Sequence, residues 1–216
     1  MAKETDKASH LLPGARAFNK DLAPAFIDHA CIVNGYAPPP GSPLGEGMDA
    51  GFAYCELDCG SAVTSTLLAS CNPLGNFHAI DARPEMIEAG RQLAKDGGAR
   101  NITFHHAGIE AALGMTLPEF DYIVVNGIYS WVPVRERALI LAFVRKFLKP
   151  GGAVYLSYNA RPGWDKLDPF RRIFREATRG VRAEPLQRLN AAREIYTRLR
   201  QAKAAGIVAT GLSASA

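Results

Sequence analysis

The sequence predicts an α/β fold: a doubly wound, mostly parallel sheet with an N-terminal helix and a C-terminal helical extension. Three observations predict it. Short apolar runs alternate with helical patterns from Phe52 to Asn159, which is the order of a parallel sheet with crossover helices. The apolar run in FDYIVVNG (Phe120 to Gly127) suits a parallel strand buried on both faces. The stretch from Phe52 to Asp81, FAYCELDCGSAVTSTLLASCNPLGNFHAID, reads as strand, tight turn, helix and second strand ending in a carboxylate, half of a nucleotide-binding unit.

In chain order, the polar first residues, MAKETDKASH, are expected to fray and show no apolar signal segment. A helix is expected over Ala15 to Val33, with Phe18, Leu22, Phe26 and Ala30 as one apolar stripe. NGYAPPPGSPLGEG (Asn34 to Gly47), rich in proline and glycine, ends that helix as an extended connector. Past Asp81, Pro84 opens an amphipathic helix carrying Met86, Ile87, Ala89, Gly90 and Leu93 and closed by Gly97 and Gly98. Asn101 to Gly108 forms a third strand, residues 109–118 a short helix or loop, and Val134 to Leu148 a helix closed by KPGG. GGAVYLSYN (Gly151 to Asn159) is the fifth strand. Two further helices are expected over 166–179 and 185–205. The domains are thus 1–47 (tail, helix and connector), 48–164 (core) and 165–216 (helical extension).

Composition is that of a soluble globular protein: 216 residues, 48% hydrophobic and 21% charged. No apolar run approaches the length of about 20 residues that a membrane helix requires, so no membrane insertion is expected and the cytoplasm is the default location. Cys31, Cys55, Cys59 and Cys71 lack paired metal-ligand spacing and read as buried or loop thiols, with no metal expected. The net charge of +4 does not by itself imply nucleic acid. Between Arg161 and Lys203, twelve Lys/Arg face five Asp/Glu. A solvated helical face explains this surplus, and a docking surface for an acidic protein partner is the alternative.

In open α/β sheets ligands lie beyond the carboxyl ends of the strands, and an acid about 20 residues past a glycine turn is placed to hold ribose hydroxyls. An adenosine-containing ligand is therefore expected around Asp81. The turn lacks GxGxxG spacing, which disfavours a nicotinamide-dependent oxidoreductase. His105 and His106 are adjacent on one strand, so alternation points them to opposite faces, where they cannot form one catalytic pair.

Four strings occur in register with a known family. ELDCGSA, HAIDARPEMIEAG, FDYIVVNGIYSWVP and LKPGGAVYLSYN resemble the ordered motifs of class I S-adenosylmethionine-dependent methyltransferases, whose core is a Rossmann-like sheet. NGYAPPP, NGIYSWVP and SYNARPGW resemble, more narrowly, bacterial methyltransferases with a methyltransferase regulatory domain, a group that includes protein-lysine methyltransferases. The resemblance implies S-adenosylmethionine as cofactor and methyl transfer to a protein lysine, another amine or a small molecule. It implies that Glu56 helps hold the methionine end, that Gly60 is the close-approach glycine of the turn, and that Asp81 binds the ribose diol beside Ala82. It also implies that Asn126 and Gly127 face the methionine portion.

The chain departs from the family at Asp58 and Ala62, where glycines are usual, and at Gly108, where an acid commonly contacts the adenine. Asp58 would then sit near the ligand's carboxylate or pair with its ammonium. These departures motivate an alternative: a catalytically silent methyltransferase-fold module with weakened or lost cofactor binding that works through protein contacts. The family's sheet usually has two more strands after the fifth, so either this is a fragment or the strand edge is covered by the C-terminal helices or another subunit, as in a homo-oligomer.

Around the acceptor the candidates are Tyr129 and Trp131 after the fourth strand, with Tyr158, Asn159 and Trp164 after the fifth, since aromatic faces suit a cationic amine or the sulfonium. The two tryptophans serve equally well as a hydrophobic lid or as packing under the C-terminal helices. The absence of an Asn-Pro-Pro-Tyr string argues against methylation of nucleic-acid base amines.

Overall fold

Strand β1 (Phe52–Leu57) is buried along its whole length, because every other residue serves a different side of the sheet and both sides are covered. The computed structural model describes residues 17–44, 51–165, 168–179 and 185–204. Within them β1 pairs in parallel with β2 (Gly75–Asp81) on one side and β4 (Phe120–Val125) on the other. Strand β3 (Ile102–His106) adds beside β2, and β5 (Leu148–Leu156) beside β4, giving the order β3-β2-β1-β4-β5. The order reverses between β1 and β4, which makes the carboxyl ends of those strands the ligand crevice of an open α/β sheet.

On one face Phe52, Tyr54, Phe77, Tyr122 and Val124 pack with Leu22, Ile27, Leu68 and Ala69. Edge-to-face contacts of Phe52 with Phe77 and Tyr122, both at 5.5 Å, fill the space between strands. This face is covered by α1 (Pro24–Val33) and α2 (Val63–Cys71). On the opposite face Cys55, Leu57, Ile80, Ile123 and Val125 pack under α4 (Ile109–Leu113) and α5 (Val134–Phe147) through Ala112, Ile140, Phe143 and Phe147. Helix α3 (Pro84–Asp96) covers β2 and β3 through Ile87. Its Gly90 permits close approach: a Cβ there would lie 2.7 Å from Phe104 and 3.1 Å from the Ser61 carbonyl in the turn after β1.

Several boundaries differ from expectation. The N-terminal helix begins at Pro24, after a 3₁₀ turn at Lys20–Leu22, because the residue before a proline avoids the helical region and Ala23 is extended. The expected stripe is broken accordingly: Leu22 and Ile27 are buried, whereas Phe18 and Phe26 are 49% and 41% exposed. Asp28 is buried beside them, accepting from Ser42 Oγ (2.6 Å) and Tyr122 Oη (2.7 Å), so the connector and α1 are fastened to β4 by a carboxylate. Strand β5 begins at Leu148, three residues before the expected Gly151, with an irregularity between Phe120 and Tyr122 in its partner. The expected fraying of the first residues and the possible strand in GIVATGLSASA lie outside the described residues.

Among the described residues the chain divides into two compact units, one within Pro13–Tyr158 and one within Asn159–Ala216. In the second, α6 (Asp168–Ala177) and α7 (Pro185–Gln201) pair through an edge-to-face contact of Phe170 with Tyr196 at 6.3 Å. Arg161 bonds Asp168 at 2.5 Å ahead of α6. No helix among the described residues is long and apolar enough to cross a membrane.

Candidate functional site

The turn between β1 and α2 is built from alternating left-handed residues: Asp58 (φ 58°), Gly60 (φ 57°) and Ala62 (φ 49°). A β-carbon in this region costs roughly 1–2 kcal/mol, so two of the three positions carry strain that glycine would avoid. Ala62 adopts the glycine conformation while fully buried. The turn is held by Cys59 N to the Ile80 carbonyl (3.0 Å), Ala62 N to the Cys59 carbonyl (2.9 Å) and Gly60 N to Asp81 Oδ2 (2.7 Å).

Three carboxylates converge on this turn. Asp81 ends β2, where its Oδ1 accepts from Arg83 N and Nε and its Oδ2 from Arg83 Nη2, each at 2.9 Å. Glu56, near the end of β1, accepts from Ser65 Oγ in the first turn of α2. Burial pushes Glu56 up to about 7, an effect reduced by the Ser65 bonds and reinforced by Asp58 and Asp81. Asp58 is pushed up to about 6 by burial and by Asp81 and Glu136, with Arg83 acting against them. The site thus carries negative charge in surplus, suited to a ligand that is cationic at one end and rich in hydroxyls at the other.

The end of β4 completes this crevice. Gly127 N donates to Ser157 Oγ (2.6 Å), and that hydroxyl donates to Asn126 Oδ1 (3.0 Å), so one serine at the end of β5 orients both residues. Tyr129 and Tyr158 meet edge to face at 6.4 Å, and the Arg137 guanidinium lies 5.7 Å from the Tyr129 ring centre. Trp131 and Tyr158 are 59% and 62% exposed. Ala82 and Gly108 are neighbours, a Cβ on Gly108 lying 3.9 Å from that of Ala82. Glu56, Asp58, Gly60 and Asp81 form one hydrogen-bonded and electrostatic group. Asn126, Gly127, Tyr129 and Tyr158 form a second, at the ends of β4 and β5. Asn159 and Trp164 belong to the second compact unit, where Trp164 N donates to the Ala160 carbonyl at 3.1 Å.

Five residues of this site were missed in the sequence, among them Arg137, which reaches Tyr129 from α5. Arg83 had a usable signal, lying two positions after a strand-end acid and directly before the proline that opens α3. Ser65 and Ser157 had none, since a small hydroxyl at a helix start or strand end is common, and Glu136 approaches Asp58 from a remote element. The histidines lie on opposite faces as alternation requires. His105 Nε2 meets His78 Nδ1 at 2.9 Å, and His106 Nε2 lies 3.0 Å from the Ala82 carbonyl. Among the described residues no group of three or more His, Cys, Asp or Glu could hold a metal ion.

A family profile described as a methyltransferase domain matches residues 48–188. An uncharacterised protein of Synechocystis is 38% identical over 157 residues, 73% of this chain and 31% of that protein. An uncharacterised protein of Rickettsia prowazekii is 30% identical over 118 residues, 55% of this chain and 47% of that protein. The chain therefore spans between about a third and about half the length of these relatives. Among solved structures, PKMT2 from Rickettsia typhi in complex with AdoHcy shares the fold, with a TM-score of 0.66 and 24% identity over 84% of this chain and 33% of that one. With the profile spanning the strand ends, the strained turn and the carboxylates described above, this chain belongs to the methyltransferase-domain family.

Proposed function

We propose that the chain binds S-adenosylmethionine at the ends of β1, β2 and β4 and supports methyl transfer to an amine, either a protein lysine or a small-molecule amine. The observation that carries this proposal is the trio Glu56, Asp58 and Asp81 at neighbouring strand ends, joined through the Gly60 amide and Arg83. The residues fit the ligand's chemistry. Carboxylates beside the turn suit its ammonium, the carboxylate ending β2 suits a vicinal diol, and around Gly127 (φ 78°) a Cβ would meet nothing within 4 Å, so the end of β4 has room.

When bound, the cofactor supplies a sulfonium methyl already activated for attack, which leaves the protein to bind, align and exclude water. Asp81 would take the ribose, Ala82 and Gly108 the adenine, and Glu56 with Asp58 the ammonium. Asn126 and Gly127, fixed by Ser157, would face the methionine portion. Tyr129, Trp131 and Tyr158 would line the acceptor, and the Arg137 guanidinium over Tyr129 supports an affinity of that ring for cations. A protonated acceptor must lose its proton before attack, a step that burial in the complex or a nearby base assists. The arginine surplus on α6 and α7 supports an acidic protein as a partner.

The test is calorimetric titration of S-adenosylhomocysteine into the chain and its Asp81→Ala variant. Binding by the parent that the variant loses supports the site, and methyl transfer from labelled cofactor to lysine peptides or free amines then identifies the acceptor class. Absence of binding by the parent contradicts the proposal.

A further inference from the structure

Asp81 is closed off by the protein's own donors. Its two oxygens accept four hydrogen bonds, from Gly60 N, Arg83 N, Arg83 Nε and Arg83 Nη2. A carboxylate offers about four lone-pair sites, so these donors fill it. Its side chain is 0% exposed, and that of Arg83 is 10% exposed. A ribose therefore cannot touch the Asp81 carboxylate while Arg83 stays in place. The guanidinium spans both oxygens side-on, Nε to Oδ1 and Nη2 to Oδ2, the fork geometry that matches a carboxylate edge. A vicinal diol engages a carboxylate in the same manner, with two O–H donors to two oxygens.

We propose that Arg83 is an internal latch on the cofactor site: its guanidinium holds the two oxygens of Asp81 and must leave them for the ribose diol to take its place. This inference rests on the cofactor role proposed above. The latch has a physical reason. Asp81 lies among Glu56 and Asp58, and a buried carboxylate stripped of its partner is strongly unfavourable. Arg83 supplies the missing charge until two hydroxyl donors arrive. Arg83 is accordingly a positioning residue that sets affinity through Asp81.

A latch lowers apparent affinity by the fraction of molecules that are open, so an open fraction of about one tenth weakens binding about tenfold. The experiment is calorimetry of S-adenosylhomocysteine, with melting curves in its absence and presence, on the parent chain, Arg83→Met, Arg83→Lys and Asp81→Asn. Arg83→Met is expected to melt lower than the parent without ligand, having lost the ion pair. It should nevertheless bind about tenfold tighter and show the larger ligand-induced rise in Tm. Arg83→Lys, whose ammonium cannot fork across both oxygens, should fall between them.

A purely structural role would lower Tm without tightening binding. Equal or weaker binding by a folded Arg83→Met overturns the latch, and if that variant does not fold, Arg83→Lys decides by the same criterion. Binding by the parent that Asp81→Asn abolishes, with no gain in either Arg83 variant, overturns the latch and leaves the cofactor site standing. No binding by the parent or either Arg83 variant overturns both.

Discussion

The Gly60 amide donates to Asp81 Oδ2 at 2.7 Å, and this bond fastens the turn after β1 to the carboxyl end of β2. Because the turn is left-handed at Asp58, Gly60 and Ala62, its strain and its charge are held at one point.

Asp58→Gly is expected to stabilise the fold. It relieves a β-carbon at φ 58°, worth about 1 kcal/mol, and removes a carboxylate buried beside Asp81. Asp58 is raised from 3.8 to about 6, so its ionisation favours the unfolded chain, and stability is lost as pH rises from about 4 to about 6. The stabilisation by Asp58→Gly should therefore be larger at pH 8 than at pH 4. Melting temperatures of both proteins across this range check it; a constant difference would mean that only the backbone contributes. If the parent fails to bind S-adenosylhomocysteine and Asp58→Gly recovers it, the silent module becomes the better account.

Ligand binding should strengthen as pH rises from about 5.5 to 7.5. Glu56 and Asp58 are held up to about 7 and about 6, and an incoming ammonium favours their charged forms, so protons are released on binding. Calorimetry of S-adenosylhomocysteine in two buffers of different ionisation enthalpy measures the release. Glu56→Gln should reduce it, and a pH-independent affinity would contradict the assignment of the ammonium to these carboxylates.

The His78–His105 pair predicts acid sensitivity of the opposite sign. His78 is lowered from 6.5 to about 4, first by burial and then by His105. The unfolded chain takes up this proton first, so the neutral pair's contribution is present above pH 6.5 and lost as pH falls toward 4. His78→Gln should cost on the order of 1 kcal/mol at pH 7 through the lost bond, and that penalty should shrink toward pH 5. Denaturant unfolding at the two pH values reads the difference, and an unchanged penalty would exclude the histidine as its source.

Tyr122→Phe removes the donor to Asp28 Oδ1 and leaves a buried carboxylate with the Ser42 bond. The expected loss is roughly 1–3 kcal/mol, with ligand affinity retained because the network lies on α1, away from the strand ends that carry the site. A change in affinity larger than the change in stability would show that α1 is coupled to the crevice.

The strand ends and Asp81 were legible in the sequence, because parallel strands carry long apolar runs and Asp81 stands where such a run stops. Glu56, Asn126 and Gly127 came from the family resemblance, and Tyr129 as an aromatic following the fourth strand. The conformation of the turn was not legible, since Asp58 and Ala62 take left-handed backbone that their side chains disfavour, and only the surrounding bonds enforce it. The stripe Phe18, Leu22, Phe26 and Ala30 misled because Pro24 resets the helix, so spacing counted across Ala23 has no common face. The His78–His105 contact joins residues 27 apart through the diagonal of a parallel pair, a relation that period-two alternation within one strand cannot reveal. Arg83 was visible two residues after Asp81, but whether it folds back onto that acid depends on the path into α3.

Titration of S-adenosylhomocysteine into the parent chain and Asp81→Ala at pH 8 tests the placement of the cofactor at Asp81. Saturable binding by the parent, lost in a variant that remains folded, is the predicted result. Equal binding by both proteins, or none by the parent, would contradict the placement of the cofactor at the ends of β1 and β2.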